Sequence, residues 1–225
     1  MAILQTPRQL LIIQLLGTLL ILALIPTSTA KLLGFLILWA ICFRKVSLAE
    51  LAFFSIASIF FTVMNTMSLR QGIFEFTHPD ILGMPYYELF MWGFYLLHTW
   101  RMIGKGSVHR VTISVWILAL LYSASFALIQ DQNLLLIITT ILLSIGLFLY
   151  HEKKDLASTF YMIALGATIE YTGVLSGQWH YPGEPVGGVP FWFITLWGGV
   201  GLLLHRLAIP LVYHFQQKSN MPTVR

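Results

Sequence analysis

The sequence repeats itself. Shifted by 105 positions, Gly72 falls on Gly177, Phe74 on Trp179, Phe76 on Tyr181, Gly83 on Gly188, Pro85 on Pro190, Trp92 on Trp197, Gly93 on Gly198 and Arg101 on Arg206, with no gap. A self-match at one fixed offset marks an internal duplication. The chain therefore reads as two related halves, residues 1–105 and 106–215, followed by a polar tail, 216–225. Each half ends in the same unit: an apolar run, a loop rich in Gly, Pro and aromatics, and a second apolar run. In the second half this unit extends from Glu170 to Arg206.

What the halves are made of decides their solvent. The chain is 57% hydrophobic and only 10% charged, with a mean hydropathy of +0.79. A soluble domain carries about 25% charged residues, so this one cannot cover a water-facing surface. An all-α integral membrane protein is expected. The single cysteine, Cys42, excludes an intramolecular disulfide and a cysteine-cluster metal site. The net charge of +4 carries no nucleic-acid signal; in a membrane protein its distribution bears on topology.

Eight apolar runs pair up across the offset. Leu10–Ile25 corresponds to Val111–Gln130, Leu32–Phe43 to Leu134–Tyr150, Leu51–Met67 to Leu156–Leu175, and Pro85–Ile103 to Pro190–Tyr213. Four spans per half is an even number, so both halves share one orientation. The expectation is eight transmembrane helices as two tandem parallel four-helix repeats, related by an axis along the membrane normal. Two runs test this count. Leu32–Phe43 is short for a span and rests on its partner. The first run precedes Pro26-Thr27-Ser28-Thr29-Ala30, which resembles a signal-peptidase site; its correspondence to an internal run favours retention.

Charge gives an independent check. Arg8, Arg44, Lys45, Arg101, Lys105, Arg110, Lys153, Lys154, Arg206, Lys218 and Arg225 fall on one side of the eight-span topology, and only Lys31 and Arg70 on the other. By the positive-inside rule both termini are cytoplasmic, in an inner or plasma membrane. The loops Leu69–Met84 and Ser176–Val189 are then extracytoplasmic. Arg44, Lys45 and Glu50 correspond to Lys153, Lys154 and Asp155 as charged linkers, expected to be solvated anchors at helix ends. The tail, Gln216–Arg225, is expected to be disordered.

Two carboxylates stand out. Glu170 lies inside an apolar run, about one and a half turns from its outer end, where an acid must be paired, protonated or facing a polar cavity. Gly166, Thr168, Thr172 and Gly173 surround it with small residues, which let helices approach closely. Its repeat partner is Asn65, polar but not ionisable. Glu88 follows Pro85 by three residues, and its partner is Phe193. Each half keeps one acid where the other has lost it, so Glu88 and Glu170 are the candidate catalytic pair for one shared cavity. Two carboxyls in a dry site do not both ionise, which leaves one acid and one base. Arg70 or loop amides are candidates to hold the ionised one. Trp92, Trp100, Trp179, Trp192, Trp197, Tyr86, Tyr87 and Tyr181 concentrate in the repeat units beyond what an interfacial belt needs. Of these, Tyr87, Trp92, Trp179, Tyr181, Trp192 and Trp197, with Asn65, are expected to wall the substrate, their faces able to stabilise a cation.

Other chemistry is weakly supported. Glu75, His78, Asp80, His180 and Glu184 lack metal-ligand spacing, so no metal is expected. His98 and His205 read as structural. There is no GxGxxG, Walker loop, GxSxG elbow, HExxH or histidine box, and no lysine sits mid-span as a retinal protein requires.

Glu170, Gly177-x-Trp179-x-Tyr181 and Gly188-x-Pro190, mirrored by Gly72, Phe74, Phe76, Gly83, Pro85 and Glu88, together resemble the small membrane lycopene cyclase domain and the related carotenoid hydratase-type membrane proteins. The resemblance covers the last two helices and the loop of each half. It departs from the family where an acidic pair after Pro appears as Tyr87-Glu88 and Trp192-Phe193, and where the family's Asp appears as Asn65 and Glu170. The resemblance implies cofactor-free, redox-neutral acid–base chemistry on an isoprenoid. A carboxylic acid would protonate a terminal double bond. The cation would close a ring or capture water, and a carboxylate would take the last proton. The alternatives are a small transporter or lipid-binding membrane protein without catalysis, and a membrane scaffold. The expected partners are the bilayer and an apolar lipid.

Overall fold

In the computed structural model, which describes residues 7–104, 110–184 and 187–219, the chain is a bundle of helical rods. They are α1 (Arg8–Leu24), α2 (Ser28–Phe43), α3 (Leu48–Arg70), α4 (Glu88–Ile103), α5 (Ile113–Leu128), α6 (Gln132–Leu149), α7 (Lys153–Leu175) and α8 (Trp192–Leu203). The last continues through a π-turn, Leu204–Ala208, into α9 (Ile209–Ser219). The turn has a local cause: Pro210 has no N–H to return to the carbonyl one turn back, so the ladder loosens just before it. Helix α9 carries the chain helically to Ser219, past the point where the polar tail was expected to lose structure; residues 220–225 of that tail lie outside the described residues.

Among the described residues, three helices are long and apolar enough to cross a membrane: α3, α6 and the rod Trp192–Phe215. Helices α1, α2 and α5 are apolar but shorter. Large apolar side chains point outward around the bundle, among them Leu20, Ile37, Ile56, Ile59, Leu120, Ile137 and Phe148. A water-soluble surface breaks such patches up.

Caps recur at the repeat offset. Helix α3 begins with a capping box between Ser47 and Glu50, and α7 with one between Glu152 and Asp155. Both helices end the same way. Gly72 and Gly177 sit at φ +68° and +70°, and the following amides of Ile73 and Gln178 reach back to the carbonyls of Ser68 and Gly173. This left-handed close needs glycine. Helices α4 and α8 start alike, with the amides of Glu88 and Phe193 bonded to the carbonyls of Pro85 and Pro190.

Packing exchanges partners in the same way. Helix α3 packs on α4 and α7 on α8; α1 packs on α7 and α5 on α3. Above them, β1 (Glu75–Phe76) pairs antiparallel with β2 (Trp179–His180). The register sets Glu75 opposite His180 and Phe76 opposite Trp179. Each half thus contributes one strand to a ribbon that ties the two loops together.

Arg44, Lys45 and Lys153 are exposed at helix ends as expected, but the two carboxylates of these linkers are not. Glu50 and Asp155 are 2% and 0% exposed. Arg101 Nε donates to Glu50 Oε1 at 2.9 Å, and Arg101 also donates to the backbone carbonyls of Phe43 and Lys45. At the equivalent place Arg206 donates to Asp155 with two nitrogens, and His205 Nδ1 shares Asp155 Oδ1 at 2.6 Å. The capping carboxylate of each long helix is therefore also the anchor for an arginine from the last helix of its half. His98, expected to be structural, is fully buried between Gln14 Oε1 (2.9 Å) and Tyr161 OH (2.7 Å).

Candidate functional site

One face of α7 carries Gly166, Glu170 and Gly173, spaced to align along a helix. The glycines are required there by indoles. A Cβ on Gly166 would fall 2.2 Å from the Trp197 ring, and one on Gly173 would fall 1.9 Å from the Trp179 ring. Small residues were expected to bring helices together. What they admit here is two tryptophans, lying flat against the helix on either side of Glu170.

Both indoles turn their N–H groups onto that carboxyl. Trp179 Nε1 donates to Glu170 Oε2 at 3.1 Å, and Trp197 Nε1 to Oε1 at 3.1 Å. Tyr181, just past β2, adds its hydroxyl to Oε2 at 2.7 Å. Burial pushes the Tyr181 phenol well above its ordinary range, with the Glu170 carboxylate adding to the effect, so it stays a donor. Among the described residues, three donors and no acceptor converge on Glu170. Neither Arg70 nor a loop amide does this work; Arg70 is exposed at the end of α3.

Across the cavity Glu88, the first residue of α4, accepts from Asn65 Nδ2 of α3 at 3.0 Å. Asn65 and Glu170 are repeat partners, so a polar side chain at one repeat position serves each acid differently: it is the second acid, and it is the first acid's hydrogen-bond donor.

Glu88 and Glu170, 9% and 8% exposed, line one cavity of about 50 Å³. Asn65, Trp92, Trp179, Tyr181, Trp192 and Trp197 line it with them. Phe74, Phe76, Tyr95, Ile169 and Leu196 complete the wall; these five were not anticipated, although the offset pairing of Phe74 and Phe76 with Trp179 and Tyr181 held the signal for two of them. Trp92 and Trp197 stack at 4.7 Å in the floor, with Trp92 also stacked on Phe61 at 4.1 Å. Phe76 and Trp179 meet edge to face beneath the ribbon.

Tyr87 is the exception. Its ring packs edge-on against Phe35, and it lines a separate small pocket rather than the carboxyl cavity. Consecutive residues at a helix start point in different directions, so Glu88 can enter the cavity only if Tyr87 leaves it. The loop acids and histidines stay apart from the cavity wall as well: Glu75 Oε2 sits 3.5 Å from His180 Nε2 on the exposed side of the ribbon.

The volume limits the chemistry. A cavity needs about 10–15 Å³ for one water and about 150 Å³ for benzene. The space between the carboxyls holds a few waters and does not hold a six-membered ring in this conformation. What it offers is two acids, unequally hydrogen-bonded, in one aromatic-lined chamber.

No family model matches the chain, and neither does any curated protein or any solved structure.

Proposed function

We propose that this protein is a membrane-embedded enzyme of eight spans, in two parallel four-helix repeats, that adds a proton to a double bond at the end of a long apolar lipid such as an isoprenoid. The observation that carries the reading is the meeting of Glu88 and Glu170 in one aromatic cavity. Glu170, surrounded by three donors, is the carboxylate and acts as base. Glu88, bonded by the Asn65 amide at one oxygen, carries the proton and acts as acid.

The step balances without electron transfer. The Glu88 proton goes to the terminal double bond and leaves a tertiary carbocation. The faces of Trp92 and Trp197 stabilise that charge. A water from the cavity adds to the cation and gives its surplus proton to Glu170. Proton return from Glu170 to Glu88 through remaining water resets the site. The cavity's size, too small for a six-membered ring as it stands, supports water addition over ring closure. The resemblance to lycopene cyclase and carotenoid hydratase-type proteins supports the same chemistry.

The test is lipid extraction and mass spectrometry from cells expressing the wild type or Glu88→Gln. Water addition raises one lipid's mass by one water only with the wild-type protein. Ring closure would leave the mass unchanged and alter retention. A lipid changed by two hydrogens, or no change in any lipid, would refute the acid–base reading and leave a binding or transport role.

A further inference from the structure

The small pocket that takes Tyr87 contains a second unusual residue. Lys31, in the first turn of α2, is 2% exposed. Its ammonium donates to Gln178 Oε1 and sits 5.6 Å from the Tyr87 ring centroid. Gln178 is held in place by its own amide, which donates to the Ser176 carbonyl at 3.0 Å. An ammonium has three donors, and among the described residues Gln178 is its hydrogen-bond acceptor and no carboxylate lies within ion-pair range. A buried charge without a counter-charge is costly. Beside it the Tyr87 hydroxyl, on a residue 1% exposed, has no hydrogen-bond partner among the described residues. Lys31, charged, and Tyr87, with its hydroxyl unpartnered, thus line one space.

That space is about 10 Å³ and is lined by Pro26, Ser28, Lys31, His78, Pro85, Tyr87 and Gln178. It closes on Lys31 and Tyr87 and opens past Pro26 and His78, which are exposed. Ser28 Oγ accepts the Tyr86 amide at 3.0 Å, so its own hydrogen remains to donate. The nearby Asp80 is engaged by that same amide at 3.0 Å. The volume suits one oxygen atom, not a whole group. The arrangement also occurs once: at the repeat offset Lys31 becomes Leu136 and Tyr87 becomes Trp192, so it is no part of the device that the two halves share.

The geometry points to an oxyanion subsite, in which one phosphate oxygen enters between Lys31 Nζ and Tyr87 OH while the rest of the group stays at the mouth by His78. The phosphate comes either from a phospholipid head group or from soluble phosphate. The site does not depend on the reaction proposed for the carboxyl cavity, which lies on the other side of the Tyr87-Glu88 and Gln178-Trp179 backbones.

The experiment uses the full chain in detergent and native mass spectrometry with phosphatidylglycerol and with diacylglycerol, which lacks phosphate. Wild-type protein is expected to retain one phosphatidylglycerol and no diacylglycerol. Lys31→Met keeps the stem and removes the charge; it should weaken retention by about tenfold or more, as loss of one charge-assisted hydrogen bond does. Tyr87→Phe keeps the ring on Phe35 and should weaken it several-fold, so a poorly folding Lys31 variant does not leave the idea unexamined. Inorganic phosphate that displaces the lipid identifies a general phosphate site; failure to displace it identifies a head-group site. Equal retention of phosphatidylglycerol by all three proteins, equal retention of diacylglycerol by the wild type, or retention of neither lipid with no thermal shift in phosphate would overturn the proposal.

Discussion

Trp92 and Trp197 stack on one another at 4.7 Å with their planes 23° apart, and they lie 105 residues apart, the offset at which the sequence matches itself. The ribbon repeats this relationship. Glu75 faces His180, its own counterpart, while Phe76 faces Trp179 and Phe74 lies near Tyr181, a pair of contacts that exchange when the halves exchange. Two patches of self-pairing, one in the floor of the cavity and one in its roof, define a line, and the carboxyl cavity lies along it. This is the isologous pattern of a two-fold contact, here within a single chain.

Exchange of counterparts across the ribbon can be tested by a crosslink. Directly opposed residues in an antiparallel pair have Cα atoms about 4.5–5.5 Å apart, within the usual disulfide range of about 4.4–6.8 Å. Glu75→Cys with His180→Cys should oxidise to a bridge that holds the halves together on a non-reducing gel after cleavage between them. The native Cys42 is buried and should not compete. Failure to crosslink under oxidant would show that the register is wrong.

The two acids respond differently to amidation. Glu88→Gln still accepts from Asn65 through its amide oxygen, so thermal stability should be nearly unchanged while turnover is lost. Glu170→Gln must turn an NH₂ toward at least one of three donors. It should lose turnover and also cost about 1–3 kcal/mol, the usual penalty of an unsatisfied buried donor. The double variant should turn over no more slowly than either single one, because residues acting as a unit are non-additive. A Glu170→Gln protein as stable as Glu88→Gln would mean that the indole and phenol donors do not act on Glu170.

The glycines of α7 give a test that leaves every polar group in place. Gly173→Ala puts a methyl group inside the Trp179 ring, and overpacking of this kind costs about 1–3 kcal/mol. Because Trp179 must move, the Glu170 hydrogen bond should go with it and turnover should fall. Gly177→Ala has open space around its Cβ; it should cost about 1 kcal/mol through its left-handed backbone alone and leave turnover intact. Equal turnover in both would remove the link between glycine packing and the carboxyl.

At the opposite end of α7, Asp155 accepts from both Arg206 and His205 while fully buried. Asp155→Ala leaves the Arg206 charge without its main partner and should cost about 3–5 kcal/mol. Glu152, half exposed, 3.0 Å from Arg206 and capping α7, should cost about 1–2 kcal/mol when truncated, mostly the lost cap. Thermal unfolding in detergent would rank the two, and a reversed order would refute the anchoring role of Asp155.

Much of the scaffold was legible because apolar runs and caps are local properties. The eight runs lie close to the eight rods: Leu51–Met67 falls inside α3 and Leu156–Leu175 inside α7, each rod starting three residues before its run. The offset also brought Glu88 and Glu170 together, since complementary losses of acid at equivalent positions make sense only in a shared space. What stayed hidden depends on orientation. Tyr87 and Glu88 are neighbours in sequence, and nothing in the string says which one turns inward. The pairing of Glu50 with Arg101 spans two helices, so charges that look like surface anchors are buried partners.

The ribbon and the cavity beneath it take their residues from both sides of the seam. Asn65, Phe76, Glu88 and Trp92 come from the first half, and Glu170, Trp179, Tyr181 and Trp197 from the second. Neither half owns the whole chamber. A chain cut between Ile103 and Ile113 would leave each piece with one of the two acids and only part of the cavity wall. Joining the halves in one polypeptide fixes their ratio at one to one, and so guarantees that every chamber receives one Glu88 and one Glu170.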